Sequence, residues 1–152
     1  MTGPFTFQVG LHPETWATMA QIIAENDPLG EGPAGLRGAD LLVVGADADG
    51  PVGFIAGFSS EQAAVCSFVR LARRAFGSRV TVRGLFEAWA AQVRLRGHTM
   101  IVAGVPREPA SYRRVVEIML TAAGFTCYYD GDTERDWFRA AVPPARTREA
   151  VA

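Results

Sequence analysis

The 152-residue chain has no lysine; all 15 of its basic residues are arginine. Codons rich in guanine and cytosine favour arginine, so this absence alone excludes no function. Cysteine is scarce. Cys66 and Cys127 lie far apart, match no metal-ligand spacing and read as reduced, mostly buried thiols. Histidine is limited to His12 and His98, which flank a helix-starting proline and a helix-ending glycine and so read as boundary residues. No His/Cys/Asp cluster has metal-ligand spacing and no Ser-His-Asp arrangement can be traced, so neither a metal site nor a catalytic triad is expected. No apolar run reaches the ~18 residues that span a bilayer. The N-terminal MTGPFTFQVG lacks a basic region followed by an apolar core. The expectation is a soluble, cytoplasmic protein.

Hydrophobic residues make up 49% and charged residues 20% of the chain, a composition that supports a packed core rather than disorder. The charges are segregated. Residues 1–61 hold eight acids and one arginine, net −7, whereas residues 62–114 hold ten arginines and two glutamates, net +8. Residues 115–152 hold six acids and four arginines, net −2. Such segregation predicts a basic face for an anion or an acidic partner. Nucleic acid is not expected, because the arginines have little aromatic interleaving and the pI is about 6.1.

Periodicity organises the chain as β-α-loop-β-β-β-α-β-α-β-β. TFQV at 6–9 reads as a strand. Pro13 opens a helix with Trp16, Met19, Ala20 and Ile23 on one face. Residues 26–38 form a Gly/Pro-rich loop. Strands at 41–46 and 52–58 flank the hairpin turn DADG, and 62–72 forms a third antiparallel strand. A helix ending at Gly97 presents Val82, Leu85, Phe86, Trp89 and Val93. Next come a buried strand at 99–105 and a helix after Pro109 with Val115, Val116, Met119, Leu120 and Ala123 as its stripe. Strands at 125–130 and 136–142 close a single domain of residues 1–142, and residues 143–152 form an extended tail. The fold class is α/β (α+β), with a mixed, mostly antiparallel sheet of about seven strands and helices on both faces.

This order, with a helix running into Gly124-Phe125, resembles the GNAT (GCN5-related N-acetyltransferase) fold over residues 4–142. The resemblance implies that acetyl-CoA sits between splayed fourth and fifth strands. The stretch ARRAFGSRVTVRGLFEAWAAQVRLRG at 72–97 then occupies the place of the pyrophosphate loop, whose pattern is Val-x-Pro-x-x-Gln/Arg-x-x-Gly-x-Gly/Ala. Glycines there let backbone N–H groups approach a phosphate, and the helix N-terminus adds partial positive charge. Counted from Gly97, Gly77 takes the Gln/Arg position and Val80 and Val82 take the glycine positions. A shift of three residues instead matches Arg74 and Gly77 and leaves Arg79 on the second glycine. The candidate anion or cofactor residues are Arg73, Arg74, Gly77, Ser78, Arg79 and Arg83, with Arg70 nearby.

The resemblance also implies a tyrosine four residues before Gly124-Phe125 that protonates the departing thiolate. Leu120 stands there, Arg113 stands where an asparagine is common, and Tyr112 lies two turns upstream. Glu61, at the start of the fourth strand, is the candidate general base. With branched valines obstructing the loop and no tyrosine, the expectation is a non-catalytic GNAT-fold subunit that binds no cofactor. It would have protein partners or copies of itself, a phage particle being one setting. The alternative is a divergent acetyl-CoA-dependent N-acetyltransferase acting on an amine.

Overall fold

The computed structural model describes residues 6–10, 13–27, 30, 32, 36, 38–129 and 134–143. His12 and most of the tail, residues 144–152, lie outside them. Strand β1 is Thr6–Val9, helix α1 Pro13–Glu25, and the next three strands are β2 Leu41–Asp47, β3 Gly50–Ser59 and β4 Ala64–Leu71. A short 3-10 turn over Arg73–Ala75 leads into α2, Arg79–Leu95. The chain continues as β5 Met100–Pro106, α3 Ala110–Ala122, β6 Thr126–Tyr129 and β7 Arg135–Ala141. The described strands form one seven-stranded sheet in the order β1-β2-β3-β4-β5-β7-β6. Only β4 and β5 are parallel; the other neighbours run antiparallel. The parallel pair follows from the intervening α2, because a strand-helix-strand crossover returns the chain in the same direction.

Alternation along β2 sends Leu41 and Val43 to one face and Leu42 and Val44 to the other. The first pair joins Leu85, Trp89 and Val93 of α2 and Leu120 of α3, and the second joins Met19, Ile22 and Ile23 of α1. Helices therefore cover both faces, as periodicity predicts. The buried stripe of α1 is rotated from its expected position. Thr15, Met19, Ile22 and Ile23 face inward and Trp16 is exposed. The Thr15 hydroxyl donates to the Gly10 carbonyl at 2.9 Å, which turns that side of the helix to the sheet. Cys66 is buried in the core, where desolvation pushes its thiol up to about 12. Cys127 corrects the expectation of buried thiols, since on the outer strand β6 it is exposed.

The feature that shapes the candidate site is a failure of pairing. β4 and β5 are in register only from Ala64–Ile101 to Cys66–Ala103. Beyond that, β4 runs to Leu71 and β5 to Pro106 without bonding each other, so the two halves of the sheet open as a V. β4 stays bonded to β3 up to Gly53–Leu71, while β5 stays bonded to β7 along its full length. Each arm is thus held by an antiparallel partner on its outer side. Arg107 and Arg113 further brace the β5 arm through Asp136, each at 2.9 Å, and their hydrogen bonds hold that carboxyl below its usual range.

Candidate active site

A cavity of about 1410 Å³ opens beside the unpaired end of β4. Its walls come from the unpaired end of β4 (Val69, Arg70, Leu71), the start of α2 (Val82, Arg83, Phe86) and the length of α3. Gly77 and Ser78 also line it. Of the α3 stripe expected in the core, Leu120 is buried, but Val115 is 56% exposed. Sequence periodicity finds the apolar face of α3; it does not reveal that much of the face lies over an opening rather than a packed sheet.

Helix α2 decides the register of the loop. Ser78 is its N-cap, with the side-chain oxygen accepting from the Thr81 N–H at 3.2 Å. The Val82 N–H bonds to the Ser78 carbonyl, so Val82 is inside the first turn and its amide is unavailable to a ligand. A helix that starts at Arg79 agrees better with the shifted count, which matches Arg74 and Gly77 and leaves Arg79 on the second glycine, than with the count that puts the intrahelical Val82 on it. Val80 is 66% exposed, and its side chain does not line the cavity. Gly77 has φ +81, a conformation that suits glycine, and a Cβ built there would meet nothing within 4 Å. Helix geometry leaves the first-turn N–H groups of Arg79 and Val80 without intrahelical acceptors. Gly77, these amides and the positive end of the helix dipole together fit a phosphate or pyrophosphate. The apolar side chains behind them suit the less polar remainder of a CoA-type ligand.

The other sequence-predicted residues divide. Arg83 lines the cavity, whereas Arg73 and Arg74 turn away from it. The Arg73 guanidinium donates to the Glu25 carbonyl at 3.4 Å, and its backbone N–H donates to the Glu25 carboxylate at 3.2 Å. Arg74 forms an ion pair with Asp47 at 2.6 Å and also donates to the Gly50 carbonyl. Asp47 belongs to residues 1–61, so the Arg74 charge is neutralised within the chain, whereas the Arg73 guanidinium meets a backbone carbonyl of that segment. Glu61 is exposed in the β3–β4 turn, at the end of β4 remote from the cavity, and does not line it. Eight strand residues separate the two ends, roughly 25 Å at ~3.3 Å per residue.

The Arg74–Asp47 pair has a pH signature. The Arg74 hydrogen bond holds the buried Asp47 carboxyl below its usual range, against a raising effect of burial. A carboxyl depressed on folding adds stability above its unfolded value, about 4, and loses it as pH falls through the lower folded value. Asp47→Asn should therefore lower Tm at pH 7, and the gap from wild type should close towards pH 2. A gap that stays constant from pH 7 to pH 2 would show that the pair contributes nothing through charge.

Two polar residues that the sequence offers without a motif position, Arg70 and Tyr112, meet on the cavity wall. Arg70 is only 2% exposed, although it borders the cavity. Its Nη1 donates to the Tyr112 hydroxyl oxygen at 3.2 Å and to the Val69 carbonyl at 3.0 Å, and its guanidinium lies 5.6 Å from the centre of the Tyr112 ring. Because the phenolic oxygen accepts from Arg70, its own proton remains available, and no described residue takes it. The signal was only the presence of an arginine in a strand and a tyrosine in the first turn of a helix. Their meeting across the V is tertiary.

No family model matches the chain, and no curated protein matches it. Solved structures do. A GNAT-family protein from Desulfovibrio desulfuricans superposes with a TM-score of 0.69 at 17% identity, over 92% of this chain and 100% of that one. An acetyltransferase from Thermus thermophilus gives 0.68 at 15% identity, over 93% and 99%. The PaiA N-acetyltransferase from Thermoplasma acidophilum, solved in complex with coenzyme A, gives 0.70 at 12% identity, over 91% and 99%. The chain has the GNAT fold. Nothing in that fold or in these similar structures points to a phage particle or to a non-catalytic role. Of the two valines expected to obstruct the loop, Val80 does not line the cavity and Val82 does.

Proposed function

We propose that this chain is an acetyl-CoA-dependent N-acetyltransferase acting on an amine. The observation that carries the reading is the cavity beside the open V, which Gly77 and the free first turn of α2 border. Acetyl-CoA, when bound, supplies an acetyl thioester that an amine can attack. Gly77 and the Arg79 and Val80 amides would hold the pyrophosphate, with Arg83 adding a cation from the next turn. Arg73, Arg74 and Ser78 act at one remove, tying the loop to α1, to the β2–β3 turn and to the helix start. Val82, Phe86, Val116 and Met119 keep water from the reacting end. Tyr112 keeps a proton to give to the leaving sulfur, in place of the tyrosine that Leu120 replaces. Orientation of the two reactants provides much of the rate in such a transfer.

Calorimetry tests the first step. Acetyl-CoA and CoA should bind with micromolar Kd, and ATP at least tenfold more weakly. Arg83→Glu should raise the acetyl-CoA Kd roughly tenfold, the size of one lost charge-assisted contact. No heat with acetyl-CoA at 1 mM would end the proposal.

A further inference from the structure

Among the described residues that line the cavity, Asn26 is the only one from residues 1–61. It follows α1, which packs on the face of the sheet opposite α2 and α3. Its Nδ2 donates at 3.2 Å to the carbonyl of Leu71, the last residue of β4. The Ala72 N–H bonds to the Val52 carbonyl of β3, so the alternation of an antiparallel ladder turns the Leu71 carbonyl the other way. That way lies the gap that β5 leaves beside β4, and the Asn26 amide stands at it. The neighbouring Arg70 pairs with Phe54, whose side chain packs with α1, so Arg70 leaves β4 on the α1 face. Its guanidinium nevertheless reaches Tyr112 of α3. The two faces of the sheet therefore communicate at the end of β4, with Asn26 on one side and Tyr112 on the other. Their partners, Leu71 and Arg70, are consecutive, with Cα atoms about 3.8 Å apart.

We propose that Asn26 binds the acceptor and that the acceptor is a primary amine. The inference rests on the acetyltransferase reading, with Tyr112 beside the leaving sulfur. An amine that attacks the acetyl carbon comes within ~3.5 Å of it, and so lies close to the sulfur and to Tyr112. Its lone pair points at the carbon; its two N–H groups point away and need acceptors. Arg70 offers only donors, and the Tyr112 oxygen already accepts from Arg70. The Asn26 Oδ1 accepts from no described residue, and the Leu71 carbonyl keeps a second lone pair beside the one that Nδ2 uses. One hydrogen bond joins these two groups, so their oxygens form a pair suited to an NH2 group. Glu117 is the only carboxylate among the described lining residues. It stands five residues along α3 from Tyr112, about 7.5 Å at ~1.5 Å per residue, and pairs with Arg113 at 3.3 Å. The step balances: nitrogen bonds to the acetyl carbon, the carbon–sulfur bond breaks, the nitrogen proton passes to water, and sulfur takes one from Tyr112.

Asn26 is the only asparagine in the chain, so protein labelled with nitrogen-15 asparagine carries a single side-chain NH2 signal pair. In the full chain saturated with CoA, ethylamine should shift that pair progressively, and tetramethylammonium, which has no N–H, should not. Asn26→Leu keeps the volume and removes both polar atoms. It should raise KM for ethylamine about three- to tenfold, the size of one neutral hydrogen bond, with the acetyl-CoA Kd within about twofold of wild type. N-methylethylamine has one N–H fewer. Against ethylamine it should lose about three- to tenfold in kcat/KM with wild type and less than about twofold with Asn26→Leu. Glu117→Gln should leave KM for ethylamine within about twofold. An NH2 pair unmoved by about 100 mM ethylamine would overturn the inference. So would an Asn26→Leu enzyme with unaltered KM, or a larger loss in Glu117→Gln; each leaves the acetyltransferase proposal standing. Should Asn26→Leu fail to fold, the wild-type titration decides alone. Acetyl-CoA that binds yet releases no CoA with ethylamine, β-alanine or spermidine would remove the acetyltransferase reading itself.

Discussion

Gly57→Ala should destabilise the protein by about 3 kcal/mol or more, a larger effect than most single core substitutions. Gly57 lies in β3, where the register with β4 shifts between Ala56 and Gly57. A Cβ built on it falls on the Val65 carbonyl oxygen and 2.9 Å from Cζ2 of Trp89. The oxygen belongs to the backbone of β4, so relief requires parting the strands beside the V. Trp89 cannot move aside either. It is fully buried, and its Nε1–H donates to the Leu41 carbonyl at 2.9 Å, joining α2 to β2. In a domain of this size the cost corresponds to a fall in Tm of roughly 6–12 °C. Trp89→Ala approaches the same contact from the other side. It removes the indole and leaves the Leu41 carbonyl without its partner, for a loss of about 3–5 kcal/mol. Melting of Gly57→Ala within 2 °C of wild type would contradict the packing of β3, β4 and α2 described above.

Tyr112→Phe should lower turnover about a hundredfold, the lower end of what one positioned proton donor contributes. Phenylalanine preserves the ring beside the Arg70 guanidinium and removes the hydroxyl that Arg70 orients. The acetyl-CoA Kd should change less than threefold, because Gly77 and the start of α2 are untouched. Release of CoA thiol from acetyl-CoA, measured with ethylamine, β-alanine and spermidine as acceptors, is the readout. Arg70→Lys should show a loss of about tenfold in kcat with little change in KM, as expected of a positioning residue. A Tyr112→Phe enzyme that retains more than half of wild-type turnover would exclude the hydroxyl from proton transfer. Leu120→Tyr serves as a control. It places a phenol where the resemblance expects one, but at a buried position, so it should cost stability rather than restore turnover.

Much of this molecule was legible in one dimension. The hairpin turn at Asp47–Gly50, the helix ends marked by Gly97 and Gly124, and alternation in β2 each carry a local physical reason and appear where the residues place them. The site was less legible. Counting back from Gly97 assigned Val80 and Val82 to glycine positions. What determines the start of α2 is the Ser78 cap, and a serine after a glycine is a signal that the count overlooked. The arginines of the basic segment looked alike in sequence. Structurally, Arg73 and Arg74 meet Glu25 and Asp47, Arg83 lines the cavity, and Arg70 is buried against Tyr112.

The sequence by itself therefore determined the element order, the two-faced sheet and the place of the loop between a strand and a helix, because periodicity, caps and turn residues act over a few neighbours. Tertiary structure alone decided whether the V is open, which arginines are spent on internal acids, and that Arg70 and Tyr112 meet across it. Those outcomes depend on how far β4 pairs with β5 and on residues brought together from distant parts of the chain. No local pattern records such contacts.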